Sequence, residues 1–150
     1  MDIILIAAIT ADGYIARHIN EVVDWSLDLH LFRKQTMGYP VIMGSQTEKT
    51  LAMDLDGRET IVTHRYNDPV KILGKLHSDK CFIIGGGRTY TRFASYLTHL
   101  YLTIHPLIFG GGVSLFPNLD EELELVFMQM ISVEGVEGLY QFQYKINRPN

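Results

Sequence analysis

Apolar and polar positions change rhythm several times along the chain, and each rhythm predicts a different element. Residues 3–9, Ile-Ile-Leu-Ile-Ala-Ala-Ile, are a continuous apolar run, which predicts a central strand covered on both faces. Residues 12–24 begin with Asp12-Gly13 and show no period, so they predict a loop. Over residues 25–37, Leu27, Leu29, Leu31 and Phe32 fall on one broad arc, with Asp24 or Ser26 able to cap the start and Gly38 able to close it, which predicts a helix. Residues 40–44 read as a short strand followed by a polar helix to about residue 52. Residues 60–63 give another strand, after which Asp68 as N-cap and Pro69 at the first helical position open a helix to about residue 76. A strand over 81–84, a helix over 88–97 and a strand over 100–104 continue the alternation, which predicts a parallel sheet with right-handed crossovers.

The last third behaves differently. Residues 124–133 and 139–146 are strand-like and flank the turn residues Gly135 and Gly138, which predicts an antiparallel hairpin. In its second arm Tyr140, Phe142, Tyr144 and Ile146 alternate with Gln141, Gln143 and Lys145, so the aromatic face is expected to be covered and the glutamine face wet. No repeat or linker divides the chain, and residues 1–150 are expected to form one domain with a mixed α/β sheet.

Composition narrows the function classes. No run approaches the roughly 18 to 20 apolar residues of a membrane-spanning helix, and the start reads as a strand rather than a secretory leader, so a cytoplasmic protein without membrane contact is expected. The net charge of −4 comes from mixed signs with no basic block, which argues against nucleic acid as a partner. The six histidines show no metal-binding helical spacing, the acidic residues near 120–124 lack the pattern of a calcium loop, and no metal is expected. Cys81 is the single cysteine and lies in an apolar strand, so a buried, inert thiol is expected and any redox chemistry needs a cofactor.

Two features carry chemistry. Gly85-Gly86-Gly87 turns a strand into a helix, letting backbone approach a ligand closely and offering free N–H groups to phosphate, although a lone glycine turn can also serve only chain reversal. Tyr90 occupies the place of the third glycine of a Rossmann fingerprint, no acid follows about 20 residues on, and no Gly-Lys-Ser or Gly-Lys-Thr marks a Walker loop. The pattern therefore argues against an ordinary Rossmann domain and gives no support to ATP chemistry. Asp28 falls between Leu31 and Phe32 in angle on the expected helix, which makes it either a solvated helix-dipole acid or a buried acid gripping a cationic or amidine-like substrate.

The segments Asp-Leu-His-Leu-Phe-Arg-Lys-Gln-Thr, Pro-Val-Ile-Met-Gly, Ile-Ile-Gly-Gly-Gly-Arg-Thr-Tyr and Leu-Tyr-Leu-Thr, in this order between residues 3 and about 105, resemble the dihydrofolate reductase family. The resemblance implies a three-layer fold with a mostly parallel mixed sheet and the C-terminal antiparallel hairpin, and NADPH-dependent reduction of 7,8-dihydrofolate to tetrahydrofolate. It implies that Asp28 is the acid on the pterin's amino-pyrimidine edge, supported by Thr103. Ile6, Phe32, Leu51 and Ile84 would line the pterin and benzoyl pocket, and Arg58 would meet the substrate's glutamate carboxylate. Ala8, Ile15 and Tyr90 would surround the nicotinamide. Gly44, Gln46, Thr47, Gly85, Gly86, Gly87, Arg88 and Thr89 would hold the phosphates, with Thr63, His64 and Arg65 beside them.

Departures from the family pattern point to where specificity could change. Ser45 stands where the family usually has a phosphate-reading arginine, for which His64, Arg65 and Arg88 could compensate. Glu48 replaces an aromatic, Ala52-Met53-Asp54 replaces a proline-containing turn, and Trp25 is the expected counterpart of the tryptophan that closes over the pterin. The run Pro106-Leu107-Ile108-Phe109-Gly110-Gly111-Gly112 resembles the reductases of riboflavin biosynthesis, which act on a phosphorylated ribosylaminopyrimidine. Three readings thus stand at this level: dihydrofolate reduction, a riboflavin-type or other pterin reductase, and a nucleotide-binding module without turnover. The chain is expected as a monomer or homodimer.

Overall fold

The computed structural model describes residues 1–51 and 54–149. In chain order the elements are β1 (Asp2–Thr10), β2 (Tyr14–Ala16), α1 (Leu29–Thr36), β3 (Val41–Gly44), α2 (Ser45–Thr50), β4 (Thr60–Thr63), α3 (Pro69–Gly74), β5 (Lys80–Gly85), α4 (Gly87–Phe93) with a 3₁₀ turn (Ala94–Tyr96), β6 (His99–His105), β7 (Val113–Ser114), β8 (Glu124–Ser132) and β9 (Tyr140–Asn147). Seven strands form one sheet in the order β4-β3-β5-β1-β6-β9-β8, and β2 pairs separately with β7. The pairs β4-β3, β3-β5, β5-β1 and β1-β6 are parallel, whereas β9 and β8 add antiparallel to β6, as the alternation followed by a hairpin predicts.

The apolar run of β1 is central because both its faces are covered. Leu5, Ala7 and Ile9 join Ile83, Tyr90, Phe93, Leu97 and Leu73 in a larger cluster under α3 and α4. Ile4 and Ile6 join Val41, Met43 and Phe82 on the opposite face, where Phe32 of α1 packs. Helix, sheet and helix therefore make three layers, with each fully buried aliphatic or aromatic side chain contributing about 1.5–3 kcal/mol. Cys81 is buried in the larger cluster, and desolvation pushes its thiol up to about 12, so it is an inert core group.

Four expectations need correction. The helix expected from residue 25 begins at Leu29, and Asp28 is its N-cap rather than a first-turn residue, with a side chain that makes no capping hydrogen bond. The preceding segment is held to the sheet instead: the Leu27 N–H is given to the His105 ring, and Trp25 packs against that ring. On β9 the expected wet face is the better buried one: Gln141 is 1% and Gln143 4% exposed, while Phe142 and Tyr144 are half-buried. Glutamine is tolerated there because Gln35 of α1 exchanges two hydrogen bonds with Gln141 at 2.7 and 2.8 Å, Gln143 donates to Gln141, and Gln129 donates to Gln143. The loop after β1 also contains the short strand β2, and the helix expected to run to residue 52 is α2, ending at Thr50; Ala52 and Met53 lie outside the described residues.

Candidate active site

The residues expected around a pterin come together on the α1 face of the sheet. Ile6, from the C-terminal half of β1, shares one apolar cluster with Phe32, Leu51, Ile84 and Tyr101. At one end of this cluster Asp28 is only 6% exposed although it is a carboxylate at a helix start. At the other end Arg58 is fixed to α1: its Nε donates to Thr36 Oγ1 at 2.8 Å, Nη2 to the Arg33 carbonyl at 3.0 Å, and Nη1 to the Asp56 carbonyl at 2.8 Å. Thr36 is itself fully buried and donates to the Phe32 carbonyl. A guanidinium has five N–H groups, so among the described residues one remains on each terminal nitrogen, the fork that a carboxylate accepts.

Thr103 lies on β6 level with Ala8 of β1 and Gln141 of β9. It is fully buried, and its hydroxyl has no hydrogen-bond partner among the described residues. Such an orphan costs about 1–3 kcal/mol if left unpaired, and it is the kind of group a bound polar ligand satisfies. Thr63, at the C-terminal end of β4, is the second orphan hydroxyl among the described residues, and it sits where the cofactor's phosphate end is expected.

The cofactor side is built by two strand-to-helix turns that meet. A Cβ on Gly44 would strike Thr89, and one on Gly85 would stand 3.0 Å from Thr47 Oγ1, so the starts of α2 and α4 approach as closely as glycine allows. Gly85 has φ +148, which a side chain would strain, and Gly87 is pressed on the Ser114 carbonyl and Pro117. Gly86 is the N-cap of α4, and Arg88 projects exposed from its first turn. His64 and Arg65 are exposed just past β4, with His64 stacked on Tyr66 at 5.4 Å. Gln46 reaches out to Asn20 in the loop after β2, at 3.0 Å. Tyr90 is buried, and its hydroxyl donates to the Ile6 carbonyl at 2.9 Å, tying α4 to β1 between the two halves of the site. Burial and the negative charge of Asp28 raise its phenol far above the ordinary range, so it stays a donor. Ile15 packs on the larger cluster with Tyr90, and Ala8 occupies the α1 face.

Sequence reasoning missed the groups that hold the loop from 12 to 27 against the sheet. Asp12 accepts from Thr10 Oγ1 at 2.6 Å and from the N–H groups of Gly110 and Phe109 at 2.8 and 3.2 Å. The Thr10 hydroxyl chiefly, then those backbone donors, keep its carboxyl below the usual range against desolvation. Glu21 pairs with Arg17 at 2.6 Å and accepts from the indole of Trp25; burial pushes its carboxyl up, but these donors outweigh it and the net shift is downward. Arg17 lies over the Phe109 ring. Trp25, expected to close over a pterin, stands edge-on to His105 and Phe109, each at 5.3 Å. The Asp-Gly turn after β1 was the available signal for Asp12; a histidine two residues beyond Thr103 was the signal for His105. Gly112 has φ +132, and a Cβ there would collide with the Ala16 carbonyl, so the second glycine run lets this loop lie on β2.

The candidate site thus combines a three-layer mixed sheet with a buried acid, an apolar cluster and two converging glycine turns. The model of the dihydrofolate reductase family matches residues 2–142, and the chain belongs to that family, which places it among the NADPH-dependent oxidoreductases. It is 31% identical to dihydrofolate reductase type 3 of Salmonella typhimurium over 117 residues, 69% of this chain and 71% of that protein. The fold is similar to that of dihydrofolate reductase from Enterococcus faecalis in complex with NADP(H) and RAB-propyl, with TM-score 0.70, 20% identity, and 98% and 97% of the two chains covered. It is equally similar to a riboflavin-biosynthesis-type protein from Shewanella sp. PV-4, with TM-score 0.69, 20% identity, and 99% and 100% covered. Among the described residues no helix is long and apolar enough to cross a membrane, which says nothing of a β-barrel.

Proposed function

We propose that this chain transfers hydride from NADPH to 7,8-dihydrofolate. The observation that supports the reading is what stands along α1: the buried Asp28 at its start, Phe32 in the apolar cluster with Ile6, Leu51 and Ile84, and Arg58 bonded to its last turn. A carboxylate kept from water at one end suits the amino-pyrimidine edge of a pterin, the apolar middle suits two aromatic rings, and the guanidinium fork suits a terminal carboxylate. The orphan hydroxyl of Thr103 gives that edge a further partner.

The orphan Thr63 hydroxyl and the close backbone approach at Gly44 and Gly85 fit a dinucleotide. Gly85, Gly86, Gly87, Arg88, Thr89, Gly44, Gln46 and Thr47 would hold its phosphates, and Ala8, Ile15 and Tyr90 would flank the nicotinamide. When bound, NADPH supplies the hydride. The protein's part is orientation, exclusion of water from the apolar cleft, and stabilisation by Asp28 of the protonated substrate ring that accepts the hydride. His64, Arg65 and Arg88 replace the positive charge that Ser45 does not offer, so NADPH is favoured over NADH. A cytoplasmic location and a monomer or homodimer belong to the same proposal.

A riboflavin-type activity is the second reading, motivated by the Shewanella likeness over the whole chain and by Glu48 at the cleft wall. The deciding experiment follows loss of reduced-nicotinamide absorbance with dihydrofolate and, in parallel, with a phosphorylated ribosylaminopyrimidine. Turnover of dihydrofolate is the expected result. Turnover of only the second compound selects the alternative, and binding of NADPH without oxidation by either leaves a binding module.

A further inference from the structure

His105 closes β6 on the α1 face and is 1% exposed. Its Nδ1 is 3.0 Å from the Thr103 carbonyl oxygen, and its Nε2 is 2.9 Å from the backbone nitrogen of Leu27. A carbonyl can only accept and a backbone N–H can only donate. The partners therefore assign one state of the ring: neutral, with the proton on Nδ1 and the lone pair of Nε2 on Leu27. Leu27 is the residue before Asp28. Among the described residues this is the hydrogen bond that joins the chain between Trp25 and Asp28 to the sheet, and the edge-on contact of Trp25 with the same ring is its second anchor. The Asp28 side chain makes no capping bond, and its carbonyl accepts the first helical bond from the Phe32 N–H at 3.0 Å, so the Leu27 anchor fixes the direction from which the chain enters α1.

We propose that His105 is a positioning residue for Asp28: the neutral imidazole seats Leu27, and through it the acid, at the buried end of the cleft. The role rests on the reading that Asp28 meets the substrate. The acceptor at this point must be a lone pair: an apolar group in place of Nε2 would leave the Leu27 N–H without its bond to the sheet.

The Leu27 amide reports the anchor without any substrate, and its hydrogen exchange is measured at pH 7 on the ligand-free full-length protein. His105→Gln places an amide oxygen where Nε2 was, so its Leu27 amide should stay protected and its kcat/KM at pH 7 should stay within about threefold of wild type. His105→Leu offers no acceptor and should lose roughly tenfold in kcat/KM, chiefly in kcat, as expected for one lost hydrogen bond. Kinetics are read with whichever of the two substrates is reduced. A Leu27 amide as protected in His105→Leu as in wild type, or equal kcat/KM in His105→Leu and wild type, would overturn the proposal. Loss of that protection in His105→Leu together with turnover of only the ribosylaminopyrimidine would overturn the dihydrofolate reading and leave the anchor in place.

Discussion

The two ends of the cleft differ in how firmly the fold determines them. On its sheet side Asp28 has buried surroundings: Thr103 and His105 are at most 1% exposed, Tyr90 is bonded to Ile6, and the approaching chain is hung on the His105 ring, while Leu27 and Leu29 stay exposed. Around Arg58 the wall is open. A cavity of about 390 Å³ is lined by Met43, Leu51, Leu55 and Thr60 together with three acids, Glu48, Asp54 and Asp56. One end presents a single acid in a dry corner; the other presents one cation among several exposed acids. A dry corner enforces one ligand chemistry because an unpaired buried group is costly, whereas an open charged wall adjusts affinity by small, screened amounts. Under the proposed function, the Asp28 end would set the reaction type and the Arg58 end the choice among substrates.

The largest expected effect tests the closed end. Asp28→Asn removes the charge with little change of shape, and kcat/KM for dihydrofolate at pH 7 should fall by about 10²–10⁴-fold, the usual span for a proton-directing group. Because the carboxylate acts by favouring protonation of the substrate, the ratio of wild type to variant should narrow as pH falls and solvent protons substitute for it. Stopped-flow decay of NADPH absorbance across pH 5–8 measures both. Undiminished activity in the variant would remove Asp28 from the site.

Arg58→Gln comes next, at the open end. Loss of a charged fork should raise KM for dihydrofolate by about ten- to a hundredfold, the worth of hydrogen bonds to a charged group, with a smaller change in kcat. A reduced pterin lacking the glutamate tail is the control, and its KM should not move. If both substrates suffered equally, Arg58 would be a support for α1 through Thr36 and Arg33 rather than a ligand for the tail.

The same division explains what could be read from the chain beforehand. The sheet was legible because the apolar run of β1, the strand-to-helix alternation and the Gly135 to Gly138 turn are local patterns that the long-range pairing reinforces. Asp28, Thr103 and the Gly85 turn were legible as residue types in a recognisable order. The start of α1 was not, since nothing in the periodic run signals that the chain before Leu29 is drawn to the sheet by a bond from Leu27 to a histidine 78 residues away. The face of β9 was misread for a related reason: Gln141 and Gln143 look wet until Gln35 arrives from another element to satisfy them. Side-chain identity predicts burial only when partners lie nearby in sequence.

The smallest effect concerns the acids of the open wall. The Asp56 N–H donates to Asp54 Oδ1 at 3.0 Å, and the side-chain contact with Asp54, followed by its charge, raises the Asp56 carboxyl despite the opposing pull of Arg58. Two acids thus crowd each other beside the fork of Arg58, and an anionic tail must enter against both. Both are exposed, so solvent and salt screen them strongly. Replacing both by Asn should lower KM for dihydrofolate by only about two- to fivefold at low ionic strength, and the gain should shrink toward nothing near 1 M salt, where the Debye length is about 3 Å. The tailless pterin should show no gain at any salt. Equal improvement for both substrates would mean that the acids act on the shape of the wall, and the contrast between a determined end and an electrostatically adjusted end would fail at this point.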